Sequence, residues 1–208
     1  MDSQRRSFLA GLKAGAAGLA IGGAFKGQAK AAGARWEPAR HDKDDWLETP
    51  AGAKHRLIFD STTPDGFGEA LLFAGNYIHV NDTDYALKSA DLSVVIVVRH
   101  RSTPFGYTDA MWAKYGAPMA KRSLITEPPK VNSYDRQIED LAKQGVRIGV
   151  CSVATRRYAE WIAEAVGGNA DAINAEMIGN RVPGSLMVPA GIVAVNRAQE
   201  RGYSVVKA

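Results

Sequence analysis

Val146-Arg147-Ile148-Gly149-Val150-Cys151-Ser152-Val153-Ala154-Thr155-Arg156-Arg157 decides the fold. It reads as a short buried strand, a sharp turn and the first turn of a helix. The chain's one cysteine stands at the junction. In an open parallel sheet, ligands gather outside the carboxyl ends of the strands. A helix start adds unpaired N–H groups and a partial positive charge. Both features favour a thiolate, the reactive form of cysteine. Arg156 and Arg157 add positive charge nearby. A second reading makes Cys151 a small apolar plug at a strand end, because free cysteine is among the most buried residue types.

Outward from this stretch, strand and helix patterns alternate. Leu92 to Val98 is a nearly continuous apolar run, as in a central parallel strand covered on both faces. His55 to Asp60 is the first strand. Thr63 is placed to cap the next helix, with Pro64 at its first position. Phe67, Ala70, Leu71, Ala74 and Ile78 recur at helical spacing, and that helix is expected to end near Asn81-Asp82. Asp109 to Tyr115 reads as a short helix, and Gly116 to Val131 as a loop because of Pro118 and Pro128-Pro129. Ser133 to Gln144 reads as a helix capped by Ser133. After Cys151, Ala159, Ile162, Ala163 and Val166 form a core stripe, and Gly167-Gly168 ends that helix. A helix from Ala170 to Met177, a strand at Leu186 to Val188, a helix from Gly191 to Glu200 and a strand at Tyr203 to Val206 complete the order. The pattern predicts an α/β fold with a mostly parallel sheet of about five strands.

The ends of the two central strands carry the chemistry. Arg99-His100-Arg101-Ser102-Thr103-Pro104-Phe105-Gly106-Tyr107 follows the strand at Leu92 to Val98. Arg99, His100, Arg101, Thr103 and Tyr107 are expected to line a pocket for an anionic group, with Arg156 contributing from the neighbouring helix. The alternative is a solvated loop pinned to the core by Phe105 and Tyr107. Asp60, at the first strand's end, has two readings: a member of the same crevice, or a cap or turn residue, which is the one expected.

Composition narrows the classes. The 208 residues are 46% hydrophobic and 23% charged, an ordinary globular balance sufficient for one core. The net charge of +4 is local. Residues 1–31 hold five basic side chains and one acid, and without them 21 basic face 21 acidic residues. Such a neutral body carries no nucleic-acid footprint. His41, His55, His79 and His100 have no metal-ligand spacing, and one cysteine does not build a structural zinc site, so no metal or cofactor is expected. Phosphate-loop and nucleophile-elbow motifs are absent from the sequence.

Gln4-Arg5-Arg6-Ser7-Phe8-Leu9, a weakly apolar Gly/Ala-rich run and Ala29-Lys30-Ala31 make residues 1–31 a twin-arginine signal peptide. Lys13 and the Gly/Ala content argue against a membrane span. The expected product is periplasmic, delivered folded by the twin-arginine machinery and without stable membrane insertion. Its single thiol then has no internal disulfide partner in an oxidising compartment. Residues 32–54 read as an N-terminal arm whose Trp36 and Trp46 dock on the domain or on a neighbouring subunit, and 55–208 as the folded domain.

A strand ending in a lone cysteine, its helix, Val188-Pro189-Ala190-Gly191 and Gln199-Glu200-Arg201-Gly202-Tyr203 together resemble the DsrE/DsrF-like (YchN-like) sulfur-relay proteins. The resemblance runs from about His55 to Val206. It implies a three-layer α/β sandwich, assembly into homo-trimers or hexamers, and Cys151 as an acceptor of sulfur in persulfide form. It also implies protein donors or acceptors of sulfur, with or without independent sulfurtransferase turnover. Two other functions fit the residues: a non-catalytic binder of a small anion or metabolite with a structural Cys151, and an oligomeric scaffold or electron-transfer accessory.

Overall fold

The computed structural model describes residues 37–48 and 52–208. Residues 1–31, expected to be a signal peptide, and Trp36 of the expected arm lie outside the described residues. Strands β1 (His55–Ser61), β2 (Leu92–Val98), β3 (Arg147–Cys151), β4 (Ser185–Val188) and β5 (Ser204–Lys207) form one sheet in the order β4-β3-β2-β1-β5. Every pairing is parallel. The helices are α1 (Pro64–Tyr85), α2 (Asp109–Ser123), α3 (Asp135–Lys143), α4 (Ser152–Val166), α5 (Ala170–Gly179) and α6 (Gly191–Glu200).

The layers follow from strand order. From β1 to β4 each crossover steps the same way across the sheet, and right-handed crossovers carry α1 to α5 to one face. From β4 the chain returns to the opposite edge, so α6 crosses the other face. Side chains divide accordingly, because successive residues of a strand point to opposite faces. Phe59, Val94, Ile96, Val98, Ile148 and Val150 pack with α1 to α5. Ile58, Val95, Val97 and Val188 pack under Ala194, Val195 and Ala198 of α6. The result is a three-layer α/β sandwich.

The arm completes the thinner layer. Asp42–Leu47 forms a 3-10 turn whose Leu47 is fully buried beside α6. The Arg147 guanidinium donates to the Trp46 carbonyl, to Ser93 Oγ at 2.6 Å and to Tyr203 Oη at 2.8 Å, while Tyr203 Oη donates to the Leu47 carbonyl at 3.0 Å. A Cβ on Gly149 would stand 3.0 Å from Val188 Cγ1 and 3.2 Å from the Trp46 ring, so the strand carries glycine where the arm lies closest. This part of the arm therefore docks on its own domain.

Several boundaries differ from expectation. Thr63 caps α1 by accepting from Gly66 N at 3.0 Å, but the helix runs one turn past Asn81-Asp82, until Ala86 turns left-handed at φ 54°. Gly116 to Ser123 is helix rather than loop. Gly116, Met119, Ala120 and Ser123 continue the buried stripe of Met111, Trp112 and Tyr115, and its packing outweighs the missing N–H of Pro118. Helix α3 begins at Asp135, not at a Ser133 cap. Asn132 instead orders its entry, accepting from Tyr134 N at 3.0 Å and donating to the Phe105 and Tyr107 carbonyls at 2.8 and 2.9 Å. Val166, expected on the core stripe, is exposed at the last residue of α4, where Gly167 ends the helix.

Candidate functional site

Helix α4, after β3, lies on one face of the sheet, and α6, after β4, on the other. The crevice between the carboxyl ends of these adjacent strands is the topological switch point, where open α/β sheets take ligands. Cys151 occupies it. Strand alternation points Cys151, like Gly149, toward the α6 face. Cys151 is also the N-cap of α4, so its Sγ accepts from Ala154 N at 3.4 Å. From the opposite side Gly191 N, at the start of α6, donates to the same sulfur at 3.2 Å. Two helix N-termini thus converge on one sulfur, and hydrogen bonds and dipoles of this kind stabilise negative charge there.

That convergence needs glycine at 191. A Cβ would lie 2.6 Å from Arg99 Cδ, 2.7 Å from Arg99 Cβ and 3.0 Å from Val97 Cγ1. Behind the sulfur, Thr155 Oγ1 donates to the Cys151 carbonyl at 2.8 Å, and the Tyr107 hydroxyl, 2.5 Å from Thr155 Oγ1, donates in turn. Tyr107 is fully buried, and burial pushes its phenol far above the ordinary range, so it remains a donor.

Cys151 itself is 6% exposed, at the floor of a cavity of about 360 Å³. Arg99, His100 and Arg101 enter it from the end of β2, and Arg122 from α2. Val153, Ala154, Arg157, Tyr158 and Trp161 share one face of α4, and the start of α6 closes the wall. Among the described residues, the lining contains four arginines and one histidine and no carboxylate.

These arginines are not equivalent. Arg99 forms a two-pronged ion pair with Asp60, Nε to Oδ1 at 2.6 Å and a terminal nitrogen to Oδ2 at 2.7 Å. The carboxylate holds the guanidinium pKa above its usual value. Asp60 is therefore the counter-ion of Arg99 rather than a cap or turn residue, and of its two readings the crevice one holds. Arg101, Arg122 and Arg157 have no ion pair among the described residues, whereas Arg40, Arg156, Arg197 and Arg201 do. The Arg122 guanidinium lies 4.3 Å over the Trp161 ring, which meets Tyr158 edge-on at 5.3 Å. Tyr158 is held by Ser123 Oγ at 2.7 Å from its hydroxyl.

His100 holds a left-handed backbone, φ 57°, uncommon for a residue with a Cβ and costing of order 1 kcal/mol. Burial, then Arg101, Arg99 and Arg157, lower its pKa below the ordinary imidazole value. It is neutral near pH 7, and protonation adds a positive charge to the cavity as pH falls through that lowered value. Sulfate affinity, measured by calorimetry, is expected to rise as pH falls below the ordinary imidazole range, and His100→Gln to remove the rise.

Of the residues expected at the site, Cys151, Arg99, His100 and Arg101 come together. Thr103 and Tyr107 do not line the cavity. The segment His100–Gly106 forms a 3-10 turn that plunges into the core, leaving both side chains fully buried. Tyr107 acts behind Cys151 instead. Arg156 faces away, paired with Glu160 at 3.2 Å and with Asp171. Its neighbour Arg157 takes the inward position because it shares the phase of Ala154, Tyr158 and Trp161. Arg122, Trp161 and Gly191 are site residues that sequence reasoning missed. Only the glycine had a signal, in the Pro189-Ala190-Gly191 turn.

Among the described residues, no group of three or more His, Cys, Asp or Glu side chains is placed to hold a metal ion. None of their helices is long and apolar enough to cross a membrane.

No protein-family model matches the chain, and no curated protein matches it. A solved protein of unknown function from Methanobacterium thermoautotrophicum is similar to this chain over 74% of its length and 99% of that protein's, with 19% identity and a TM-score of 0.44.

Proposed function

We propose that this protein is a periplasmic, DsrE-like sulfur carrier, exported by the twin-arginine route and working as a homo-oligomer, with Cys151 as its sulfur-bearing residue. The observation that carries the reading is the convergence of the Ala154 and Gly191 N–H groups on Cys151 Sγ at the floor of a carboxylate-free cationic cavity. A hydrogen disulfide anion supplies the simplest reaction. The Cys151 thiolate forms a bond to one sulfur, the original S–S bond breaks, and hydrosulfide leaves with the electron pair. The product is Cys–S–S⁻, and no oxidant is consumed. Thiolate attack of this kind is the ordinary route of thiol–disulfide exchange. The added S–S bond, about 2 Å long, moves the charge outward toward the cavity's guanidinium groups. A protein acceptor then takes the terminal sulfur.

The test is intact-protein mass spectrometry after brief polysulfide treatment. The expected result is a gain of about 32 Da, the mass of one sulfur, mapped to Cys151 and absent from Cys151→Ser. An unmodified protein whose cysteine also resists alkylation overturns the carrier. The low exposure of Cys151 favours a second reading in that event, an anion-binding protein in which the sulfur only caps two helices.

A further inference from the structure

The cavity carries more cationic groups than Cys151 needs. Arg99 is already matched by Asp60, and two backbone N–H groups already meet the sulfur. Arg101, Arg122 and Arg157 remain, with His100 among them and, among the described residues, no acid in the lining. His100 feels Arg101 and Arg157, and Tyr158 feels Arg101 and Arg122, so the charges act on a common space. Like charges gathered around a cavity repel one another, and a bound multivalent anion relieves that repulsion. Guanidinium forks suit the oxygens of a compact oxoanion, and Trp161 holds the Arg122 guanidinium 4.3 Å over its ring.

We infer that the cavity binds a small dianionic thio-oxoanion, thiosulfate being the simplest, with its sulfo group on Arg101, Arg122 and Arg157 and its outer sulfur toward Cys151. The cavity volume of about 360 Å³ fits an anion of that size with some water and does not fit a folded protein. Binding stands on the cavity and its charges. Only the transfer step rests on the carrier reading. In that step the Cys151 thiolate forms a new S–S bond to the outer sulfur. The bond between that sulfur and the sulfo group breaks, and the pair leaves on sulfite. Thiolate plus thiosulfate becomes persulfide plus sulfite, balanced in charge, with no proton and no further redox reagent.

The experiment titrates thiosulfate by calorimetry into the full protein, Cys151→Ala, Arg122→Gln/Arg157→Gln and Arg156→Gln. It also times sulfur loading of Cys151 from thiosulfate and from polysulfide. Thermal melts confirm that each variant is folded. Arg156→Gln is expected to bind thiosulfate within about threefold of the parent and Cys151→Ala to bind it without taking up sulfur, while the double variant binds at least about tenfold more weakly, the loss of one charge-assisted contact or more. Loading from thiosulfate should fall by a similar factor, and loading from polysulfide by much less. Unchanged binding in the folded double variant, or equal binding of chloride and thiosulfate by the parent, overturns the inference. Polysulfide loading without thiosulfate binding overturns it too and leaves the carrier standing. Thiosulfate binding with no loading from either donor supports the anion site and removes the carrier.

Discussion

Gly191→Val is expected to slow sulfur loading of Cys151 from polysulfide by about tenfold or more, with a stability loss of about 2 kcal/mol. The reason is local. The new Cβ would overlap Arg99 Cβ and Cδ and press on Val97 Cγ1. Arg99 does not swing aside easily, because both oxygens of Asp60 hold one edge of its guanidinium. The start of α6 must therefore retreat, and it takes the Gly191 N–H away from Cys151 Sγ. A stability loss alone would leave loading intact in the folded fraction. The slowed loading, measured well below the melting midpoint, distinguishes withdrawal of the donor from simple overpacking. Because Asp60 holds the obstacle in place, Gly191→Val and Asp60→Ala should combine non-additively.

Asp60→Ala is expected to have opposite effects on stability and on anion binding. Arg99 and Asp60 are largely shielded, with side-chain exposures of 24% and 11%. Removing the carboxylate leaves the guanidinium partly buried without a counter-ion, at a cost of about 3 kcal/mol. For a chain of this size that lowers the thermal midpoint by about 10 °C. The same change gives the cavity an unneutralised fourth arginine, so sulfate should bind more tightly than to the parent. A melting curve and a sulfate titration on one preparation check both signs. A variant that loses stability and also loses sulfate affinity would show that Arg99 is held in position by Asp60 and has no share in the cavity's field.

Much of the frame was legible because local rules and tertiary packing agree there. Leu92 to Val98 is apolar at every position but Ser93 and is buried at every position. Thr63-Pro64 starts α1 as a cap and a fixed φ dictate. Cys151 stands at the end of β3 as its stretch suggested, because a short apolar run followed by a helical stripe leaves one place for the turn. The readings that differed are those in which a local signal met a larger packing gain. Pro118 suggested a loop, yet Met119, Ala120 and Ser123 bury on the stripe of α2. Thr103 and Tyr107 looked like pocket residues from composition, but the 3-10 turn sends them inward.

The site was less legible for geometric reasons. Arg156 and Arg157 are neighbours in sequence and differ by about 100° around α4, so a small error in helical phase chooses the wrong one. Arg122 comes from a helix separated from Cys151 by α3 and β3, and only the folded packing of α2 against α4 brings it to the cavity. The Asp60–Arg99 pair joins the ends of β1 and β2, a contact that depends on strand order. Gly191 was visible as a turn residue, but its role as a donor to the sulfur requires α6 to cross the face toward which Cys151 points.

The central claim is that Cys151 is a reachable sulfur in a cationic cleft, and the rates of its alkylation by iodoacetate and iodoacetamide test it most directly. The two reagents are nearly equal in size and differ by one negative charge. In the folded protein at low salt the anionic reagent is expected to modify Cys151 faster than the neutral one, and added salt should erase that preference as it screens the arginines. A folded protein inert to both reagents, or one that favours iodoacetamide at every salt concentration, would contradict the account.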